Sequence, residues 1–559
     1  MLCNLDYISF LFVAPADNPL PKVTRSEFLK FLVAGGIASI AGLAGVGNLS
    51  LPTERSVRQA SAQTSGSWEA GPNALCHPVH LALLPSGKVL YVAGSGLHRP
   101  STSGPFKAAL WDPVTNSQKS YVIDKDIWCS GHATLPSGNI LFAGGTKKYP
   151  HQTPNHRWWG INAVYEYDHV SEQFQSRPAM AEARWYPTVI LLDTGLLQVV
   201  EGFDEFGYNN LLTEIYNPVA RSWTIKYNPK TNTRYCVGCS GTSCANIAGA
   251  GSRCYGGTNK GVNPPMATYP RMHLLPSGLV ACVGQKPPRR LWNPSTGVWL
   301  GAGTGINRSW GTSVLLPLQN TLEEKGSILV CGGANTTAFP SIATSSAEIV
   351  RQSNLTLVSR AIQPMNFPRR YGNPVILPNG KILIIGGTRE NNDKNLAVYE
   401  PEMFDPVSET WTLLPPHSVP RIYHSNALLL TDGRVYVAGT SYSQYSFELR
   451  TEIYSPQYVF EQRPTISSIP ASAAYGGTIQ VGTPDAQEIS AVSIVRQSST
   501  THHYNPEQRL VWLQVLEKSE SSVVVSAPIN RKLAPPGFYL LHVLNAAGIP
   551  SKAAMLKMA

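Results

Sequence analysis

Residues Pro374–Thr388 read PVILPNGKILIIGGT. An apolar run, a Pro-Asn-Gly turn, a second apolar run and a glycine pair make a hairpin of two short strands. The second run is apolar at every position instead of alternating, as expected when neighbouring sheets cover both faces. Six more stretches share the pattern, among them HLALLPSGKVLYVAGS (His80–Ser95), HATLPSGNILFAGGT (His132–Thr146) and ALLLTDGRVYVAGT (Ala427–Thr440). The turn glycines of the seven copies are Gly87, Gly138, Gly195, Gly278, Gly326, Gly380 and Gly433. They recur about every 50 residues, with one long gap between Gly195 and Gly278.

A second element follows each hairpin. It is an apolar-x-apolar strand that often closes on Asx-Pro or Ser-Pro, as in RLWNP at Pro294, EMFDP at Pro406 and EIYSP at Pro456. Two hairpins per repeat of about 50 residues is the signature of a kelch-type blade. The sequence therefore predicts an all-β chain: a seven-bladed kelch-type β-propeller over residues 63–462, then a C-terminal immunoglobulin-like β-sandwich over 463–559. That last part alternates apolar and polar residues without the blade pattern and is expected to cover one end of the propeller. The long gap is an insertion, 228–265, holding Cys236, Cys239, Cys244 and Cys254. Two disulfides are the first reading in an exported chain, and a zinc knuckle is the alternative.

Residues 1–62 read as an export signal or an N-terminal anchor. Arg25 and Lys30 precede an apolar run from Phe31 to Val46, and Ala60-Ser61-Ala62 forms an A-x-A cleavage site. The expected location is outside the cytoplasm: secreted, periplasmic or at the cell surface. The 559 residues carry a formal charge of +10, but only 14% are charged, against about 25% in an average domain. With no dense Lys/Arg block, nucleic acid is not an expected partner. A monomer is expected.

Chemistry-bearing residues stand just before several of the hairpins. Cys129 lies in IWCSGHATLPSG, Tyr186 in ARWYPTVILL, and Tyr423 and His424 in RIYHSNALLL. Repeat equivalence puts all of them on one face. His502, in TTHHYNPEQR, comes from the last domain. Two imidazoles with two phenolates make a mixed N/O donor set that suits Cu(II). Taken singly, each has a plainer reading: a buried thiol, a packed tyrosine or a satisfied histidine. Asp204 and Glu205 read as loop residues.

These segments resemble the galactose oxidase/glyoxal oxidase family of copper radical oxidases. WCSGHATLPSGNILFAGG, RWYPTVILL and RIYHSNALLLTDGRVYVAGT are similar to its cysteine, tyrosine and tyrosine–histidine segments, in order. HHYNPEQR is similar to its H-x-x-N-x-D-Q-R, with Glu507 for Asp, which makes His502 and not His503 the ligand. APPGFYLLHVLNAAGIPS is similar to its closing domain. The resemblance implies a Cys129–Tyr186 thioether as a built-in radical cofactor. It implies one copper ion held by Tyr186, Tyr423, His424 and His502, with Tyr423 as base. The reaction implied is two-electron oxidation of a small aldehyde or primary alcohol, with dioxygen reduced to hydrogen peroxide. The chain departs from galactose oxidases in lacking their N-terminal sugar-binding module and the tryptophan stacked on the thioether. VVEGFDEFGYNN has Phe203 and Phe206 instead, which leans towards the glyoxal oxidase type. Trp128 and Trp185 adjoin site residues, but alternation along a strand would turn them to the other face. The competing expectation is a non-catalytic kelch module that binds a surface glycan or protein.

Overall fold

The computed structural model describes residues 65–95, 104–227, 268–303, 305–335, 340–443 and 446–559. It also describes the backbone of two short paired strands, Arg234–Cys236 and Cys254–Gly256. The expected export segment and the side chains of Cys236, Cys239, Cys244 and Cys254 lie outside the described residues. All described residues belong to one compact unit, Arg58–Ala559.

The chain is all-β. Among the described residues the helical segments are 3-10 turns of three or four residues. Each hairpin of the sequence pattern forms the first two strands of an antiparallel sheet, and the Asx-Pro element is the third. Asn373–Ile376 pairs with Ile382–Ile385, Asn373 opposite Ile385 and Ile376 opposite Ile382. All eight of these residues are buried, seven of them apolar and Asn373 held by a hydrogen bond to Ser425 Oγ at 2.9 Å. Gly380 makes the turn at φ +80°, a left-handed conformation that glycine adopts without a Cβ penalty. The Leu377 N–H closes the turn on the Lys381 carbonyl at 2.8 Å.

Among the described residues, seven sheets of four or five strands follow this plan. Their first strands are His80–Leu83, Gly131–Thr134, Thr188–Leu191, Arg271–Leu274, Thr312–Leu315, Asn373–Ile376 and Asn426–Leu429. Each of these from Gly131–Thr134 onward touches the next, and Asn426–Leu429 returns to His80–Leu83. The circuit closes through Ser499–Thr501, which pairs with His80–Leu83 and touches Gly131–Thr134. The last sheet takes its fourth strand, Ser67–Ala70, from the other end of the array, paired with Glu452–Ser455. The repeat pattern did not reveal that strand.

The C-terminal region supplies five strands of a six-stranded sheet centred on Ile489–Arg496 and Gly537–Asn545, the sixth being Leu318–Gln319 beside Leu510–Leu513, and forms a three-stranded sheet of Thr478–Gly482, Ser522–Ser526 and Val515–Lys518. Ile479, Val481, Val523 and Val525 of the smaller sheet share one apolar cluster with Val492, Ile494, Leu541 and Val543 of the larger. This region does more than cover an end. Its segment from Arg496 to Arg509 reaches the first strands of four sheets through polar side chains. Gln497 Nε2 donates to the Leu83 carbonyl at 2.6 Å. Glu507 Oε2 accepts from the Thr134 N–H at 2.8 Å. Gln508 accepts from the Ile376 N–H and donates to the Pro374 carbonyl, each at 3.0 Å. Arg509 donates to the Leu274 carbonyl. These bonds satisfy buried polar groups that would otherwise each cost free energy, and they fix the height of the segment's tip.

Candidate active site

The residue two positions before the first strand is Cys129, Tyr186, Tyr269, Trp310, Tyr371 and His424 in the second to seventh sheets. All six have positive φ, from +48° to +66°. Non-glycine residues held in this region cost on the order of 1–3 kcal/mol each, and such strain clusters at functional sites. Backbone bonds link several of them in sequence. Tyr186 N–H donates to the Cys129 carbonyl and Tyr269 N–H to the Tyr186 carbonyl, both at 2.9 Å, and Tyr371 N–H to the Trp310 carbonyl at 3.0 Å. The reversal at each of these positions breaks the alternation of an extended strand.

His502 arrives from the other direction. His502 and His503 are the central residues of a two-residue hairpin, at φ +49° and +56°, with Thr501 and Tyr504 exchanging both backbone bonds. Two-residue turns of the I′ type take positive φ at both centres. Consecutive imidazoles thereby face different neighbours. The His502 ring lies 4.7 Å from Tyr186 and 4.5 Å from His424, whereas His503 lies 4.8 Å from Tyr371.

The five residues singled out in the sequence come together. His502 Nε2 lies 2.9 Å from the Tyr186 hydroxyl, which is in direct contact with the Tyr423 hydroxyl. Cys129 Sγ is 3.7 Å from His502 Nε2. The ligating atoms of Cys129, His424 and His502 lie within 4.8 Å of one another. His424 Nδ1 shares a hydrogen bond with Ser441 Oγ at 2.7 Å, and His502 Nδ1 one with Thr501 Oγ1 at 2.6 Å. Those partners orient each ring so that Nε2 is turned to the other site atoms. His424 Nε2 is buried and makes no hydrogen bond.

Burial holds both imidazoles well below their ordinary pKa, so they are neutral. It raises the Tyr186 and Tyr423 phenols and the Cys129 thiol well above theirs. An orphaned imidazole nitrogen, a second one nearby and two touching phenols, all buried except the part-exposed Tyr423, fit a copper-type ion with a mixed N/O donor set. Asp204 is a loop residue, as expected; its Oδ1 accepts from the N–H groups of Phe206 and Tyr208.

The reading of Trp185 is corrected. Its ring lies over Tyr186, with centroids 3.7 Å apart and planes at 32°, and Trp158 and Phe203 stack on Trp185 at 4.9 and 5.6 Å. Tyr186 is at φ +66°, so strand alternation does not apply there. Trp128 is also in the site's apolar cluster, its ring 5.8 Å from His424. Sequence reasoning also missed Tyr269, Trp310 and Tyr371. The available signal was an aromatic residue followed by Pro or Gly two positions before each hairpin: Tyr269-Pro270, Trp310-Gly311 and Tyr371-Gly372.

Known proteins resemble the chain in both of its regions. The family model described as Glyoxal oxidase N-terminus matches residues 301–458, and that described as Galactose oxidase-like, Early set domain matches 463–558. A galactose oxidase of Gibberella zeae is 26% identical over 90% of this chain and 73% of its own length. The aldehyde oxidase GLOX of Vitis pseudoreticulata is 25% identical over 89% of this chain and 98% of its own. A fungal alcohol oxidase of the AA5 family, solved in complex with copper, is similar in fold: TM-score 0.72 at 23% identity, covering 88% of this chain and 99% of that one. With matched segments in both regions and relatives along nine-tenths of its length, the chain resembles the galactose oxidase/glyoxal oxidase family.

Proposed function

We propose that the chain is a copper radical oxidase that removes two electrons and two protons from a small aldehyde, as its hydrate, or from a primary alcohol, and delivers them to dioxygen as hydrogen peroxide. The observation that carries this reading is the convergence of His424 Nε2, His502 Nε2 and the Tyr186 and Tyr423 hydroxyls beside Cys129 Sγ. One copper ion held by Tyr186, Tyr423, His424 and His502 would supply a one-electron redox centre. Tyr186 supplies the second: its ring, bonded to Cys129 Sγ with loss of two hydrogens to dioxygen, gives up an electron more readily than a plain phenol. Trp185 covers that ring and keeps water from it. Tyr423 takes the proton of the substrate hydroxyl. Ser441 and Thr501 hold the imidazoles in the ligating orientation.

The same reading takes the seven sheets as blades of a kelch-type propeller, with residues 463–559 as an immunoglobulin-like sandwich that sends His502 up the central channel. Relatives named galactose oxidase and aldehyde oxidase support alcohols and aldehydes alike as the substrate class. Export is part of the proposal and rests on residues 1–62. Among the described residues no helix is long and apolar enough to cross a membrane.

A peroxide-coupled screen of copper-loaded protein against short aldehydes, primary alcohols and galactose tests the proposal. Peroxide from at least one substrate is expected, with one copper bound per chain and both lost in His424→Ala. Protein that binds no copper and releases no peroxide from any of them would overturn it.

A further inference from the structure

Four buried arginines of the sheets come with their own carboxylates. Arg184 pairs with Glu214, Arg308 with Glu348, Arg369 with Glu402 and Arg421 with Glu452. Arg370 does not. It is 6% exposed and has no ion pair among the described residues. Its Nε makes no hydrogen bond, and its Nη1 donates one long bond, 3.4 Å, to the Ser341 carbonyl. A buried guanidinium with unfilled donors and no counter-charge is costly unless a ligand supplies both.

Its position says which ligand. The Arg370 guanidinium lies 4.6 Å from the Tyr371 ring, and that ring is 5.3 Å from Tyr423 and 4.8 Å from His503. Both nitrogens of the buried His503 also lack a partner. Orphaned donors thus flank Tyr423 on the side of Tyr371. Arg271 is likewise without a carboxylate, but it is fully buried beneath Tyr504 and closed to any ligand. Arg370 is 6% exposed, and Tyr423 on the other side of Tyr371 is only partly buried.

We infer that Arg370 anchors the end of the substrate remote from the reacting carbon, and that this end is a carboxylate. The site then takes short aldehydes or alcohols that carry an anionic group, bound by the bidentate fork of a planar guanidinium. This rests on the oxidase reading for what happens at Tyr423, but the anchor itself can be tested without turnover.

Two comparisons decide it, each on wild type, Arg370→Gln and Arg370→Lys. The first is binding of oxamate, a carboxylate that cannot be oxidised at this site, to metal-free protein by calorimetry. The second is kcat/KM of copper-loaded protein for glyoxylate and for its neutral amide, which differ in charge and not in length. In Arg370→Gln, oxamate should bind at least about tenfold more weakly, and glyoxylate should lose at least about tenfold in kcat/KM, through KM. The amide should change less than about threefold. Arg370→Lys keeps the charge that the packing needs but not the fork, so its losses should lie between wild type and Gln. Oxamate binding unchanged in Arg370→Gln, or equal losses for glyoxylate and its amide, would overturn the anchor. Wild type that oxidises neither compound but yields peroxide from another substrate would overturn the anionic substrate; peroxide from no substrate would overturn the oxidase reading instead, and the oxamate comparison alone would then decide the anchor.

Discussion

Cys129 is held at φ +61° in a site where burial keeps its thiol protonated. It is therefore no resting thiolate nucleophile, and a bond from its sulfur to Tyr186 needs an oxidant. Copper loading in air should make the mature chain lose two hydrogens, and peptides containing Cys129 and Tyr186 should travel as one species after proteolysis. Cys129→Ser should keep copper but lose most turnover, because an unmodified phenol is harder to oxidise. A copper-loaded, air-exposed wild-type chain whose Cys129 still reacts with a thiol reagent after unfolding would sink the cross-link. Tyr423→Phe separates the base from the cofactor. The cross-link should form, and turnover should fall by roughly 10²–10⁴-fold, the usual contribution of a positioned base. Peptide mapping with single-turnover kinetics would check both halves. At this scale the sequence was readable where residue chemistry is rare: a cysteine, a tyrosine and histidines before hairpins stand out. Tyr269, Trp310 and Tyr371 occupy the same repeat position but read as ordinary packing aromatics. What distinguishes them is a left-handed backbone, which no side-chain type announces.

The sheet is the next unit, and in four of them one arginine ties its strands together. Arg369 donates to Glu402 on the third strand at 2.6 Å, and to the Gly386 carbonyl just past the second at 2.9 Å. Arg184, Arg308 and Arg421 repeat the arrangement on Glu214, Glu348 and Glu452, with a carbonyl at the end of the second strand in each case. Each of these arginines lies two or three residues before the strained residue of its sheet, so the pair positions the segment that aims Tyr186, Trp310, Tyr371 or His424 inward. Arg369→Met would strand a buried carboxylate and should cost about 3–5 kcal/mol. Adding Glu402→Leu should recover part of that loss. Denaturant unfolding of the two single variants and the double variant measures the coupling; a double variant as unstable as the sum of the singles would show that the pair does not act as a unit. The hairpins were legible because their turn glycines and unbroken apolar runs are local signals. The arginine–glutamate pairs were not, since the partners stand about 30–40 residues apart and charge spacing fixes no such contact.

Over the whole molecule, what stayed hidden was closure. The repeats announced seven similar sheets, but nothing local tells that Ser67–Ala70 joins the seventh, or that Ser499–Thr501 joins the first. Backbone pairing at such separations leaves no mark in the paired residues themselves. Closure also buries histidines, and that has a consequence for acid stability. Burial lowers the imidazoles of His132 and His273 to about 3 and those of His417 and His542 to about 4. It takes His80, His424, His502 and His503 well below their ordinary value too. Unfolded, each would take up a proton near pH 6.5. Below that pH the unfolded chain binds more protons than the folded one, so folding stability falls as pH falls. Each such histidine adds up to about 1.4 kcal/mol per pH unit. Asp126, raised by burial to about 6, and Glu507, also raised by burial, act in the opposite sense. Two carboxyls against eight imidazoles leave a net loss. Metal-free protein should therefore unfold at clearly lower denaturant concentration at pH 5 than at pH 7.5, with several protons taken up per chain unfolded. Denaturation midpoints at the two pH values, with the proton uptake read from their pH dependence, test this. A midpoint that is flat or rises towards pH 5 would mean that these imidazoles are already charged in the folded protein, which two neutral nitrogen donors at the centre of the ring do not allow.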